Sequence, residues 1–156
     1  MQIISRSVKE TLNLGRMLAR RLEAGDIVCL EGELGSGKTV FTKGIAEGLG
    51  INKAKVTSSS FILIRRHLGG RIPLYHFDLY RLKKPGDIIA VGYEEYFYDE
   101  GISVIEWAQK LECLMPKEHL MVELSYRGEN KRMLKFSTAS AHYKKLLKEL
   151  NEDISH

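Results

Sequence analysis

The chain is poor in the residues that staple a fold or anchor it in a membrane. It has two cysteines in 156 residues. Cys29 falls inside an apolar run and Cys113 stands far away in sequence, a pattern of neither a disulfide framework nor a zinc site. No apolar run approaches the ~20 residues that a membrane-spanning helix needs. The opening residues, Met1 to Arg6, lack a secretory-signal pattern, so the cytoplasm is the expected compartment and no membrane contact is expected. Repeats, low-complexity stretches and long linkers are missing too, and a single domain over residues 1–156 is expected. Excess charge is mild: 24 Lys and Arg against 20 Asp and Glu give +4. That permits contact with an RNA or an acidic partner and requires neither. The basic residues come in small groups, among them Arg65-Arg66-His67 and Lys144-Lys145, and each group alone reads as solvated surface.

What the chain does have is one strong motif. Gly32-Glu33-Leu34-Gly35-Ser36-Gly37-Lys38-Thr39 fits G-x-x-x-x-G-K-[ST], the phosphate-binding loop. The apolar run Ile27 to Leu30 precedes it, short enough for a buried parallel strand. Val40 to Leu49 follows as a predicted helix, with Gly50 as its stop. The strand–loop–helix context is the one the motif requires. Glycines allow the backbone to turn its N–H groups inward, and the helix N-terminus adds partial positive charge. Lys38 is expected to reach the β- and γ-phosphates, and the Thr39 hydroxyl to ligate Mg²⁺. The nucleotide contacts expected along the motif are Glu33, Leu34, Gly35, Ser36, Gly37, Lys38, Thr39 and Val40.

Around this core the pattern alternates. Ser7-Val8-Lys9-Glu10 reads as a capping box opening a helix, with Val8, Leu12, Ala19 and Leu22 near one face and Leu14, Met17 and Leu18 widening it. Val56-Thr57-Ser58-Ser59-Ser60-Phe61 is a hydroxyl-rich stretch able to meet phosphates or their metal. Ile62 to Ile64 and Ile72 to Asp78 read as strands of a hairpin turned at Gly69-Gly70, and Pro73 argues for an edge position. Ile88 to Phe97 reads as helical with a break at Gly92. Ile102 to Glu106 is an apolar strand ending in a carboxylate, the form of a Walker B strand. His119 to Tyr126 and Lys131 to Ser137 form a second hairpin, and Ser140 to Leu150 a basic helix with a frayed tail after it. The fold class is α/β: a P-loop NTPase core, a mixed sheet with antiparallel hairpins and flanking helices.

Asp78 and Glu106 each end a predicted strand, so each is a candidate to meet the loop at the strand tips. One is expected to hold the metal and the other to position an attacking water. Trp107, the only tryptophan, follows Glu106 directly. His76 is open to a structural, hydrogen-bonded role. Guanine-specific GTPases carry Asn-Lys-x-Asp. Asn52-Lys53-Ala54-Lys55 starts that way but ends in Lys55 and comes too soon, which leaves adenine by elimination.

Three segments together resemble the TsaE (formerly YjeE) family of bacterial ATPases of tRNA threonylcarbamoyladenosine synthesis: Glu31 to Thr39, His76-Phe77-Asp78-Leu79-Tyr80-Arg81, and Ile105-Glu106-Trp107. The resemblance runs from the first helix to about Arg132. It implies ATP and Mg²⁺ as cofactors. It casts Lys38 and Thr39 as phosphate and metal residues and Glu106 as the second metal residue. It makes Asp78 necessary for hydrolysis and Trp107 for function, and adds Thr11 and Arg132 as nucleotide contacts. The family's Ser-Pro-Thr-Phe switch stands here as Ser58-Ser59-Ser60-Phe61: Ser60 keeps a hydroxyl, and Ser59 removes the proline that presets the loop. The implied partner is a TsaB–TsaD pair, with tRNA met indirectly through it, and weak ATPase activity without that pair. The alternatives are a small-molecule P-loop kinase and a nucleotide-dependent binding module without turnover.

Overall fold

The computed structural model describes residues 1–57, 63–98 and 100–156. The expected switch segment, with Ser60, and the expected strand start at Ile62 therefore lie outside the described residues.

Seven strands form one mixed sheet. They are β1 (Gln2–Ser5), β2 (Ile27–Glu31), β3 (Ile64–His67), β4 (Leu74–Asp78), β5 (Ile102–Glu106), β6 (Leu120–Tyr126) and β7 (Arg132–Ser137), in the order β1-β7-β6-β2-β5-β4-β3. The four central strands, β6, β2, β5 and β4, run parallel, while β3 and β7–β1 add antiparallel edges. The parallel strands β2 and β5 read as continuous apolar runs because helices cover both of their faces.

On one face lie α1 (Val8–Ala19), α2 (Lys38–Gly48) and α5 (Ala141–Ser155), whose Leu18, Phe41, Ile45 and Leu150 pack on Val28, Leu30, Val104 and Val122. On the other lie α3 (Gly86–Ile89), α4 (Tyr93–Phe97) and a 3₁₀ segment (Ala108–Leu114), packed on Cys29, Phe77 and Ile105. Each such fully buried aliphatic or aromatic side chain contributes about 1.5–3 kcal/mol relative to exposure. Helices α1 and α2 approach closely because Gly15 and Gly44 face each other. A Cβ on Gly15 would lie 2.5 Å from Phe41 O, and one on Gly44 2.2 Å from Leu12 O.

Several local expectations need correction. The buried face of α1 is Thr11-Leu14-Gly15-Leu18-Ala19, and Val8 is 68% exposed because it sits in the first turn, outside the α2 contact. Strand β4 is interior, between β5 and β3, since Pro73 precedes the strand and only its carbonyl is used, accepting from Ile102 N at 2.8 Å. The residues after Leu150 continue α5 through Ser155, because Asp153 is held by Arg21 Nη2 at 2.7 Å. Strand β1 is an addition to the expected elements, four residues paired with β7. The capping box at Ser7 is real, with Glu10 N donating to Ser7 Oγ at 3.0 Å, though Glu10 Oε2 accepts from Arg6 N rather than from the cap residue.

Candidate functional site

All four parallel strands deliver their C-terminal ends to one edge of the sheet, where α/β proteins bind ligands. The end of β2 runs into the phosphate-loop motif, β4 ends in Asp78, β5 in Glu106 and β6 in Tyr126. Asp78 and Glu106 are register partners, so their side chains leave the same face, the one α2 covers.

The loop is held tight. Ser36 N donates to Glu33 O at 3.0 Å, and Ser36 is fully buried. Gly32 must be glycine: at φ 151 its missing Cβ would lie 2.5 Å from both Leu124 O and Ser36 Oγ. Gly35, at φ 77, faces the Tyr126 hydroxyl, which donates to Leu34 O at 3.3 Å. Helix α2 begins at Lys38, two residues before the expected start, so its unsatisfied N–H groups open directly onto the loop.

Lys38 is 4% exposed. Its ammonium donates to Gly32 O at 2.5 Å and Glu33 O at 2.9 Å, and lies 4.0 Å from the Trp107 ring centroid. Burial pushes its pKa down, against the pull of the more distant Glu106 and Asp78 carboxylates. Among the described residues no carboxylate forms an ion pair with it.

Glu106 is buried and used at both oxygens. Oε1 accepts from Thr39 Oγ1 at 2.7 Å, and Oε2 is hydrogen-bonded to His76 Nε2. By giving its proton to Glu106, the Thr39 hydroxyl keeps its lone pairs for a cation. Asp78 is less enclosed; its Oδ1 accepts from Tyr80 N at 3.1 Å. Burial and the neighbouring Glu106 raise its pKa, the first cause being the larger. Trp107 adopts a left-handed backbone (φ 60, ψ 40) and its ring packs on Tyr80 at 5.1 Å.

These groups line a cavity of about 460 Å³ bounded by Leu34, Gly35 and Gly37 to Val40 of the loop, by Asp78, Tyr80 and Arg81, and by Glu106 and Trp107. Most residues expected at the site are thus together. Among the described residues four are not on its wall. Glu33 and Ser36 belong to the loop but do not line the cavity, Ser36 being fully buried. Thr11 is buried on α1, its hydroxyl 2.7 Å from Ser5 Oγ, with its methyl toward Gly37. Arg132 opens β7 with its guanidinium 4.2 Å over the Tyr126 ring, which in turn contacts the loop. Sequence reasoning left His76 undecided and did not single out Tyr80, Arg81 or Tyr126. The available signal for His76 was parity, since it lies two residues before Asp78 and so shares its face. Asn52 of the rejected guanine signature has a structural task, capping a one-turn 3₁₀ helix (Lys53–Lys55) by accepting from Ala54 N at 3.0 Å.

A sequence model of one family, described as Threonylcarbamoyl adenosine biosynthesis protein TsaE, matches residues 5–134. Three relatives are named tRNA threonylcarbamoyladenosine biosynthesis protein TsaE. The one from Bacillus subtilis (strain 168) is 38% identical over 143 residues, covering 92% of this chain and 89% of that protein. The one from Treponema pallidum (strain Nichols) is 38% identical over 132 residues, covering 85% and 96%. The one from Nostoc sp. (strain PCC 7120) is 40% identical over 128 residues, covering 80% and 77%. Among solved structures, Bacillus YdiB superposes with a TM-score of 0.83 at 34% identity, covering 98% of this chain and 95% of that one.

Proposed function

The chain belongs to the TsaE family of tRNA threonylcarbamoyladenosine biosynthesis, and from that membership and the geometry of the loop we propose that it binds ATP with Mg²⁺ and hydrolyses it as the driving component of that machinery. The observation that carries the reading is Lys38: a buried cation answered, among the described residues, by loop carbonyls, the Ser36 hydroxyl and an aromatic face rather than by a paired carboxylate, at the mouth of a cavity edged by a helix N-terminus. Such a site is complementary to a polyphosphate.

The donor set fits Mg²⁺. Thr39 Oγ1 and Glu106 are hard oxygen donors in contact, and they would hold the ion together with oxygens of the bound polyphosphate. When bound, the metal neutralises charge developing on the phosphoryl oxygens.

The protein's own groups do the rest. Lys38 exchanges its carbonyl partners for phosphate oxygens, and the α2 N–H groups meet the same anion. Trp107 shields that ammonium from water. Asp78, with its raised proton affinity, orients and deprotonates the attacking water. His76 fixes the Glu106 carboxylate so that Oε1 stays on Thr39. The partner is a TsaB–TsaD-like pair that completes the site, and the compartment is the cytoplasm; no helix among the described residues is long and apolar enough to cross a membrane.

ATP hydrolysis with and without TsaB–TsaD proteins tests the reading, beside calorimetric titration of nucleotide. Stimulated hydrolysis by the native protein and its loss in Lys38→Ala and Glu106→Ala are expected. Native-like stimulated rates in Glu106→Ala would sink the metal assignment, and phosphoryl transfer to a nucleoside or sugar without partners would establish the kinase alternative.

A further inference from the structure

The net positive charge of the chain is confined to one stretch. Residues 48–77 contain Lys53, Lys55, Arg65, Arg66 and Arg71 and no Asp or Glu, leaving 19 basic against 20 acidic residues in the rest. In space Lys53 and Lys55 lie on the 3₁₀ turn, and Arg65 and Arg66 on β3 at the edge of the sheet. The segments before the 3₁₀ turn and after β3 pack together, Arg71 N donating to Leu49 O at 2.7 Å, and Arg65 and Lys55 both add, after burial and His76, to holding the His67 pKa down.

Two of the five cations have other tasks. Arg71 Nη2 donates to Ala19 O and Leu22 O at the end of α1, and Lys53 lies 3.4 Å from Glu47. Lys55, Arg65 and Arg66 form no ion pair among the described residues. Lys55 and Arg66 are exposed and Arg65 is half-buried; on this edge strand Arg65 leaves the face of its register partner His76, while Arg66 leaves the other face, over the Tyr75 ring at 5.8 Å, so the two arginines flank the open edge. Asn52 and Thr57 add exposed polar groups alongside. This edge is the one opposite β1, and two strands, β5 and β4, separate it from the loop-bearing β2.

We propose that the open β3 edge, flanked by Arg65 and Lys55 on one side and Arg66 on the other, is a docking surface for the sugar–phosphate backbone of an RNA. Cations without carboxylates between them favour a polyanion of uniform charge over a protein surface of mixed charge. Two arginines suit phosphate, which they bind bidentately, and the exposed polar neighbours offer the backbone contacts that position without reading sequence. The family's work on tRNA places such a polyanion within reach.

The test is binding of an unmodified tRNA transcript to the full chain, followed by fluorescence anisotropy between about 50 and 200 mM salt, a range over which phosphate contacts weaken steeply. No nucleotide is added, so the outcome stands apart from the ATPase reading. Lys55→Ala/Arg65→Ala/Arg66→Ala is compared with Lys144→Ala/Lys145→Ala/Lys148→Ala, which removes the same charge from exposed positions of α5. The edge variant should lose about tenfold or more in affinity, and the slope of log affinity against log salt should become shallower by about 2 to 3, near one unit per lost phosphate contact. The α5 variant should keep the native slope to within about one unit. Equal losses in both variants would overturn the proposal, as would an absence of binding at low salt. Poly-glutamate competing as well as RNA would reassign the surface to an acidic protein. Aggregation of the edge variant with unchanged RNA affinity would reduce the charges to guards of an open strand edge. Should the triple variant fail to fold, Arg66→Glu, an exposed reversal, must weaken binding in the same direction.

Discussion

His76 and Glu106 meet by hydrogen bond inside the sheet, each side chain at most 2% exposed, from neighbouring parallel strands. That contact leaves Glu106 Oε1 committed to Thr39. The carboxylate proposed for the metal is therefore gripped from behind before any ligand arrives. Replacing His76 by Ala strips a buried acceptor of its partner, at a cost of about 1–3 kcal/mol. Chemical denaturation should show that loss, and stimulated ATP hydrolysis should fall with it. His76→Asn, which can still donate, should recover part of both.

Asp78 should trade stability for activity. Its folded pKa lies above the ordinary 3.8, chiefly through burial. The fold thus disfavours its charged form, and stability declines as pH rises from the ordinary value through the raised one. Asp78→Asn should melt a few degrees higher than the native protein at pH 7, and the gap should close toward pH 4, while hydrolysis is lost. An unchanged gap across that range would contradict the assignment.

Lys38 runs the same way at the basic end. Its folded pKa is below 10.5, so the protonated lysine costs stability that is regained as pH rises from the lowered value toward the ordinary one. At neutral pH Lys38→Met should therefore leave the melting temperature near native or raise it, while calorimetry shows nucleotide affinity gone.

Trp107 reports on that ammonium, 4.0 Å from its ring. A cation over an indole at a half-buried site is worth about 0.5–2 kcal/mol. Trp107→Ala should weaken hydrolysis far more than it lowers the melting temperature, because the ring is half-exposed and lies beside the main core rather than in it. As the chain's single tryptophan, Trp107 should also change its emission when nucleotide draws Lys38 away, and Lys38→Ala should abolish the change.

Gly15→Ala and Gly44→Ala test the packing that aims α2 at the loop. Each new methyl would meet backbone atoms closer than 3.0 Å. Overpacking of this kind costs about 1–3 kcal/mol. Since α2 would shift with its N-terminus, nucleotide affinity should drop together with stability.

The loop, its strand and its helix were legible because the motif fixes backbone geometry locally: Gly32 and Gly35 have no side-chain alternative. The parallel strands β2 and β5 were legible as apolar runs with carboxylate or glycine at their ends. The family resemblance read from the three segments agrees with the family match and with YdiB. What escaped were relations between distant segments. Strand β1 has only four residues and exists because Ile3 and Ile4 find Leu134 and Met133 in β7. The interior place of β4 depends on β3 pairing outside it, which no local signal at Pro73 reveals. The helical tail beyond Leu150 depends on Arg21, in the first helix–strand connection. The bond between His76 and Glu106 spans 30 residues, and strand parity could only suggest it.

The neighbours of β2 set an order on the birth of this protein. The strand that carries the loop is in place early in synthesis, but it is flanked by β5 and by β6, with Val28 facing Val104 and Leu120. Gly32 packs on Leu124, and Gly35 on Tyr126. A chain emerging from the ribosome thus carries its nucleotide loop long before it has the walls that shape it, and pairing over such separations is slow. Nascent chains halted before Tyr126 should be blind to nucleotide, so a nucleotide bound as proposed would meet the finished protein and not serve as a template for its folding.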